Sequence, residues 1–123
     1  MYRLIHFIFY LISLLPFRAL YLLSDGLYVV LFHMVGYRRK VVEKNLRMAF
    51  ADKTDNDRLL IEHKFYHWLC DYFVESIKLL SISKEELQRR FTIANSDEVE
   101  KCFEEGQSAA AVLGHYCNWE WLS

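Results

Sequence analysis

The sequence predicts an α/β chain, α+β within this fragment: N-terminal membrane-associated helices, an amphipathic helical region, then the first β-α-β portion of an α/β domain. Three patterns carry this reading. Two densely apolar runs open the chain, helix-spaced apolar residues continue to about residue 90, and a β-branched stretch, a capped helix and a small-apolar run follow. The expected divisions are 1–37 for the membrane-associated helices, 38–90 for the amphipathic region and 91–123 for the start of the α/β domain. The chain stops at Trp121-Leu122-Ser123 inside an expected helix, so it is read as a piece of a longer protein.

Hydrophobic residues make up 54% of the 123 residues and aromatics 16%, which excludes disorder and points to a membrane or a large buried surface. The net charge of -1 conceals an uneven layout. Arg38, Arg39, Lys40, Lys44 and Arg47 cluster directly after the apolar third, whereas acidic residues dominate from Glu85 to Glu105. Cys70, Cys102 and Cys117 have neither paired number nor CxxC spacing, which fits a reducing compartment rather than a disulfide framework or zinc ribbon.

Leu4 to Phe17 carries no permanent charge, and a second apolar run extends from Gly26 to Tyr37 beyond Arg18 and Asp25. Neither run reaches the roughly 20 residues of a simple spanning helix. A cleaved signal peptide lacks its small-x-small site, and a buried soluble hairpin fits poorly with apolar residues on all sides. Two membrane arrangements stay open: a single tilted spanning helix with Arg18 near an interface, or helices lying in one leaflet with tyrosines at headgroup level. In either, Arg38, Arg39 and Lys40 are expected to touch anionic headgroups and mark the cytoplasmic side.

Val41, Val42, Leu46, Ala49 and Phe50 predict an amphipathic helix that runs into a turn at 51–54. A longer helix is expected to start at Asp55 or Asn56 and to present Leu60, Ile61, Phe65, Trp68, Leu69, Tyr72, Phe73, Ile77 and Leu80 on a broad apolar face. Ser83 stands three residues before Glu86, the spacing of an N-terminal cap, and opens a short helix ending near Arg90. Phe91 to Ala94 reads as a short strand, Ser96 to Phe103 as a capped helix stopped by Gly106, and Ser108 to Leu113 as a buried parallel strand. A final helix is expected near Asn118.

Gly114-His115-Tyr116-Cys117-Asn118-Trp119-Glu120 follows that expected strand, at the carboxyl end where open α/β sheets place ligands. Residues five apart do not share a helical face, so His115 and Glu120 meet only with His115 in a loop and Glu120 in the next helix's first turn. A carboxylate there would fix the imidazole tautomer and stabilise its cation, leaving the second nitrogen as a general base.

These residues resemble the bacterial lipid A biosynthesis acyltransferases, within the wider lysophospholipid acyltransferase superfamily. The resemblance spans the whole chain: the apolar N-terminus, Arg38-Arg39-Lys40 with Val41 to Phe50, the helix from Phe65 to Leu80 and, most specifically, Gly114-His115 with Asn118-Trp119-Glu120. It implies an inner-membrane enzyme, at the cytoplasmic face, that moves a fatty acyl group from acyl carrier protein to a hydroxyl of a lipid A precursor. By the same resemblance His115 is the base, Glu120 orients it, Asn118 and Trp119 contact substrate, and no metal or cofactor is required. Relatives usually carry glycine where Cys117 stands; if that position takes a positive φ, the cysteine strains the loop. Later family motifs are missing, so this chain alone is not expected to turn over substrate.

Other readings use the same residues. A lipid hydrolase or thioesterase would employ His115 without a hydroxyl acceptor, Cys117 would be a nucleophile in an acyl-enzyme scheme, and a non-catalytic membrane-bound remnant would do no acyl chemistry. His63, His67 and Cys70 share a helical face and have ligand chemistry, yet Asp71 and Glu75 beside them read equally as a polar stripe. The aromatic residues fit a membrane interface rather than nucleic-acid stacking, because the basic residues do not interleave with a recognised nucleic-acid module.

Overall fold

Proline and glycine divide the N-terminal half of the chain. In the computed structural model, which describes residues 2–92, 96–110, 112, 114 and 117–122, helix α1 spans Tyr2–Ser13 and helix α2 spans Phe17–Tyr28. Pro16 lies between them, because a residue preceding proline is pushed out of the helical region. Its carbonyl accepts the first α2 bonds, from the amides of Ala19 and Leu20. Helix α2 runs straight through Asp25 and continues as a π-helical stretch, Val29–Val35. Gly36 ends it at φ 63°, a left-handed conformation that glycine adopts without penalty.

Helix α3, Arg39–Ala49, and helix α4, Asp55–Lys78, complete the first of two compact units, Met1–Ser81. The α4 cap is Thr54, not Asp55 or Asn56. Its hydroxyl accepts from the Asp57 amide while the Asp57 carboxylate accepts from the Thr54 amide, a reciprocal box that satisfies two otherwise unpaired donors. The bonds that the Thr54 hydroxyl and amide donate to the Asp57 carboxylate hold that carboxyl below its usual range.

Every fourth residue of α4 is buried: Glu62, Tyr66, Cys70 and Val74. This differs from the expected apolar face. Leu60, Trp68, Phe73 and Leu80 are exposed, while Phe65 and Leu69 pack only at the margin of the core. The core joins Tyr66 and Cys70 to Tyr28 and Phe32 from α2 and its π-helical continuation. Its narrow stripe admits Glu62 because Arg39 donates to that carboxylate at 3.0 Å while stacking 4.4 Å from the Phe32 ring centre.

Polar pairs run alongside this core. Tyr21 donates to Glu75 at 2.9 Å, Ser24 to Asp71 at 2.6 Å, and Tyr28 shares a 2.6 Å hydrogen bond with His63 Nδ1. The α4 partners descend in number as the α2 residues rise, the order required of antiparallel helices. At the far end Lys78 donates to the carbonyls of Ser13 and Leu15, at 2.7 and 2.9 Å. These contacts satisfy helix-terminal acceptors of α1 and its exit.

The second unit, Ile82–Ser123, holds helix α5, Lys84–Arg90, helix α6, Asp97–Glu104, and a 3₁₀ helix, Trp119–Leu122. Ser83 caps α5 by accepting from the Glu86 amide, as its spacing predicts. Gly106, at φ 69°, follows α6.

No strand occurs among the described residues, so the fold is all-helical and the expected α/β class, with its β-α-β portion, is corrected. Phe91 has extended backbone without a ladder partner. Ser108, Ala109, Ala110 and Val112 are irregular and exposed; Ile93, Ala94, Ala111 and Leu113 lie outside the described residues. Two causes explain the difference. Alanine has weak strand preference, and a strand satisfies its amides and carbonyls only beside another strand.

Candidate functional site

Residues 117–122 begin with a bend and end in a short helix. Gly114 and Cys117 are exposed, and Cys117 takes φ 55°, within the left-handed region. The condition for strain at this position is therefore met, since a Cβ there crowds the following carbonyl by about 1–2 kcal/mol. The backbone bends at Cys117 and Asn118 before the 3₁₀ helix begins. Glu120 is half-buried in the first turn of that helix, while Trp121 is buried and its amide donates to the Asn118 carbonyl at 3.2 Å.

Residue by residue, Asn118 is half-buried and Trp119 is 40% exposed. His115 lies outside the described residues. A helix does begin where one was expected after Asn118, but in the tighter 3₁₀ form. Glu120 falls in its first turn, a position where helix termini favour anionic groups.

The basic segment has divided roles. Arg38 occupies the position before α3 at φ 53° and is exposed, as is Lys40. Arg39 is committed inward, to Glu62 and the Phe32 ring. The Glu62 hydrogen bond raises the Arg39 pKa further and keeps the guanidinium charged. Nothing in the local sequence announces that pair, because its partners are far apart in the chain.

His63, His67 and Cys70 are drawn into packing. His63 engages the Tyr28 hydroxyl, His67 stacks on the Tyr28 ring at 3.6 Å, and Cys70 is fully buried, which pushes its thiol pKa up. No group of three His, Cys, Asp or Glu side chains suited to a metal occurs among the described residues. Among the described residues one helix, Phe17–Val35, is long and apolar enough to cross a membrane, and 22% of its most apolar stretch is buried. It reaches that length because α2 continues past Asp25 directly into the π-helical stretch.

Compared with known proteins, residues 2–122 match the sequence family described as bacterial lipid A biosynthesis acyltransferase. No curated protein and no solved structure matches the chain.

Proposed function

Because the chain belongs to the bacterial lipid A biosynthesis acyltransferase family, and so to the acyltransferases of lipid A biosynthesis, we propose that it moves a fatty acyl group from acyl carrier protein to a hydroxyl of a lipid A precursor. The family match through residue 122 carries this reading, since it includes the Gly114 to Glu120 segment. His115 removes the acceptor proton as the hydroxyl oxygen attacks the donor's thioester carbonyl. Collapse of the tetrahedral intermediate breaks the carbon–sulfur bond, and the imidazolium returns its proton to the departing sulfur. Glu120 accepts from the other ring nitrogen and stabilises the cation. Asn118 and Trp119 contact substrate beside it.

The same reading puts the protein on the cytoplasmic face of the inner membrane. Helix α1 is apolar and exposed along nearly its full length, which suits immersion in a leaflet. The α2 seam with Asp71 and Glu75 supports helices lying in that leaflet over a spanning arrangement. A spanning α2 would draw those charges toward the bilayer centre, at roughly 2.5–3.5 kcal/mol each. Arg38 and Lys40 face anionic headgroups.

The fate of a labelled acyl chain tests the activity: label enters the lipid acceptor for a transferase, whereas a hydrolase releases it as free fatty acid. Cys117 gives a second test. Cys117→Gly removes the left-handed strain and is expected to raise transfer severalfold, while Cys117→Ala, which keeps a Cβ, stays near the parent. Equal rates for the two variants would show that loop strain does not limit the reaction.

A further inference from the structure

Helices α3 and α4 border an open groove of about 310 Å³ whose walls include Val41, Val42, Phe65, Leu69 and Phe73. Val41 and Phe73 remain 44% and 43% exposed, so the walls present apolar surface rather than bury it. Arg38 borders the groove as well. It forms no ion pair among the described residues, and neither do the exposed Lys40 and Lys44 on the adjoining helix. The nearby carboxylates are already committed, Glu62 to Arg39 and Glu43 to Arg47. An apolar channel therefore adjoins uncompensated positive charge.

That combination matches an amphiphile with an anionic head. We propose that the groove holds one acyl chain of an anionic phospholipid from the surrounding leaflet, its headgroup phosphate on Arg38; this rests on the membrane reading above. A lipid without a phosphate would satisfy the walls and leave the cation unpaired. A soluble anion would satisfy the cation and leave the walls wet. The Tyr66 hydroxyl donates to the Tyr37 carbonyl and so ties the residue before Arg38 to α4, holding the charged rim beside the apolar wall.

The test is native mass spectrometry of the intact protein in detergent, after exposure to equal amounts of phosphatidylglycerol and of diacylglycerol with the same acyl chains, which lacks the phosphate. The parent should keep one phosphatidylglycerol, preferred by at least about tenfold, the lower end of what a charge-assisted hydrogen bond contributes. Arg38→Gly removes the cation while accepting the left-handed φ, and should bring the two lipids to parity. Val41→Trp fills the groove from its exposed wall and should reduce retention of both severalfold. If Val41→Trp loses the parent's helical circular dichroism, Asn45→Trp, at the same groove, is read in its place. Unchanged retention in the tryptophan variant, or no headgroup preference in the parent, overturns the proposal. Vesicle co-sedimentation separates the two levels: a parent that sediments with vesicles but retains no lipid refutes only the groove, and one that does not sediment refutes the membrane reading and the groove with it.

Discussion

His115→Ala is expected to lower acyl transfer by about 10²–10⁴-fold, the range over which a positioned general base accelerates proton transfer. Binding of the lipid acceptor should change little, because its hydroxyl proton is moved only as the carbonyl is attacked. Glu120→Gln should lose less. Its amide oxygen still accepts from the imidazole but no longer offsets the cation, a loss of roughly 1.5–3 kcal/mol, or about 10–100-fold. The double variant decides how the two act. If Glu120 works only through His115, removing both costs little more than removing His115, whereas a multiplicative loss assigns Glu120 an independent role. The comparison is made in kcat and KM on the intact protein, with each variant's helical spectrum matched to the parent.

Tyr66→Ala is expected to cost about 3–5 kcal/mol, the usual penalty for deleting a buried aromatic side chain. Tyr66 is fully buried, meets the Phe32 ring at 5.3 Å and the Phe65 ring at 5.4 Å, and donates to the Tyr37 carbonyl. Its loss removes packing from the centre of the first unit and frees the segment that enters α3. Tyr66→Phe keeps the ring and leaves the carbonyl without its donor, for a smaller cost of about 1–3 kcal/mol. Thermal melts followed by circular dichroism check the order: parent, then phenylalanine, then alanine. A phenylalanine variant as damaged as the alanine variant would mean that the hydrogen bond outweighs the packing.

Helix termini were legible because their chemistry is local. Ser83 signals its cap within four residues, and Gly106 ends α6 for a reason visible in its type. The α4 start shows the limit of that locality: Asp55 and Asn56 are adequate caps, but Thr54 wins by pairing reciprocally with Asp57. Periodicity was less reliable about which face is inside. It selected Trp68 and Phe73, which are exposed, over a stripe containing Glu62 and Cys70. A glutamate reads as a surface residue until Arg39 is brought to it. The run from Ser108 looked like a strand by hydrophobicity alone, yet a strand exists through its neighbours, and composition does not supply them.

The candidate site was legible in a different way. No tertiary contact was needed to single out Glu120 and its neighbours, since their order along the chain and their family likeness did so. The left-handed Cys117 joins the two levels. The likeness to relatives with glycine raises the question of a positive φ, and the backbone answers it with φ 55°. Arg38 and Arg39 looked equivalent in sequence. The fold separates them, one at an exposed groove rim and one paired with Glu62 with its guanidinium over the Phe32 ring.

The most direct measurement supplies the intact protein with acyl carrier protein bearing a labelled acyl chain, together with a lipid A precursor, and locates the label by mass spectrometry. The account predicts an acceptor heavier by one acyl group, with that product lost in His115→Ala. Label found only as free fatty acid, or transfer undiminished in His115→Ala, would contradict it.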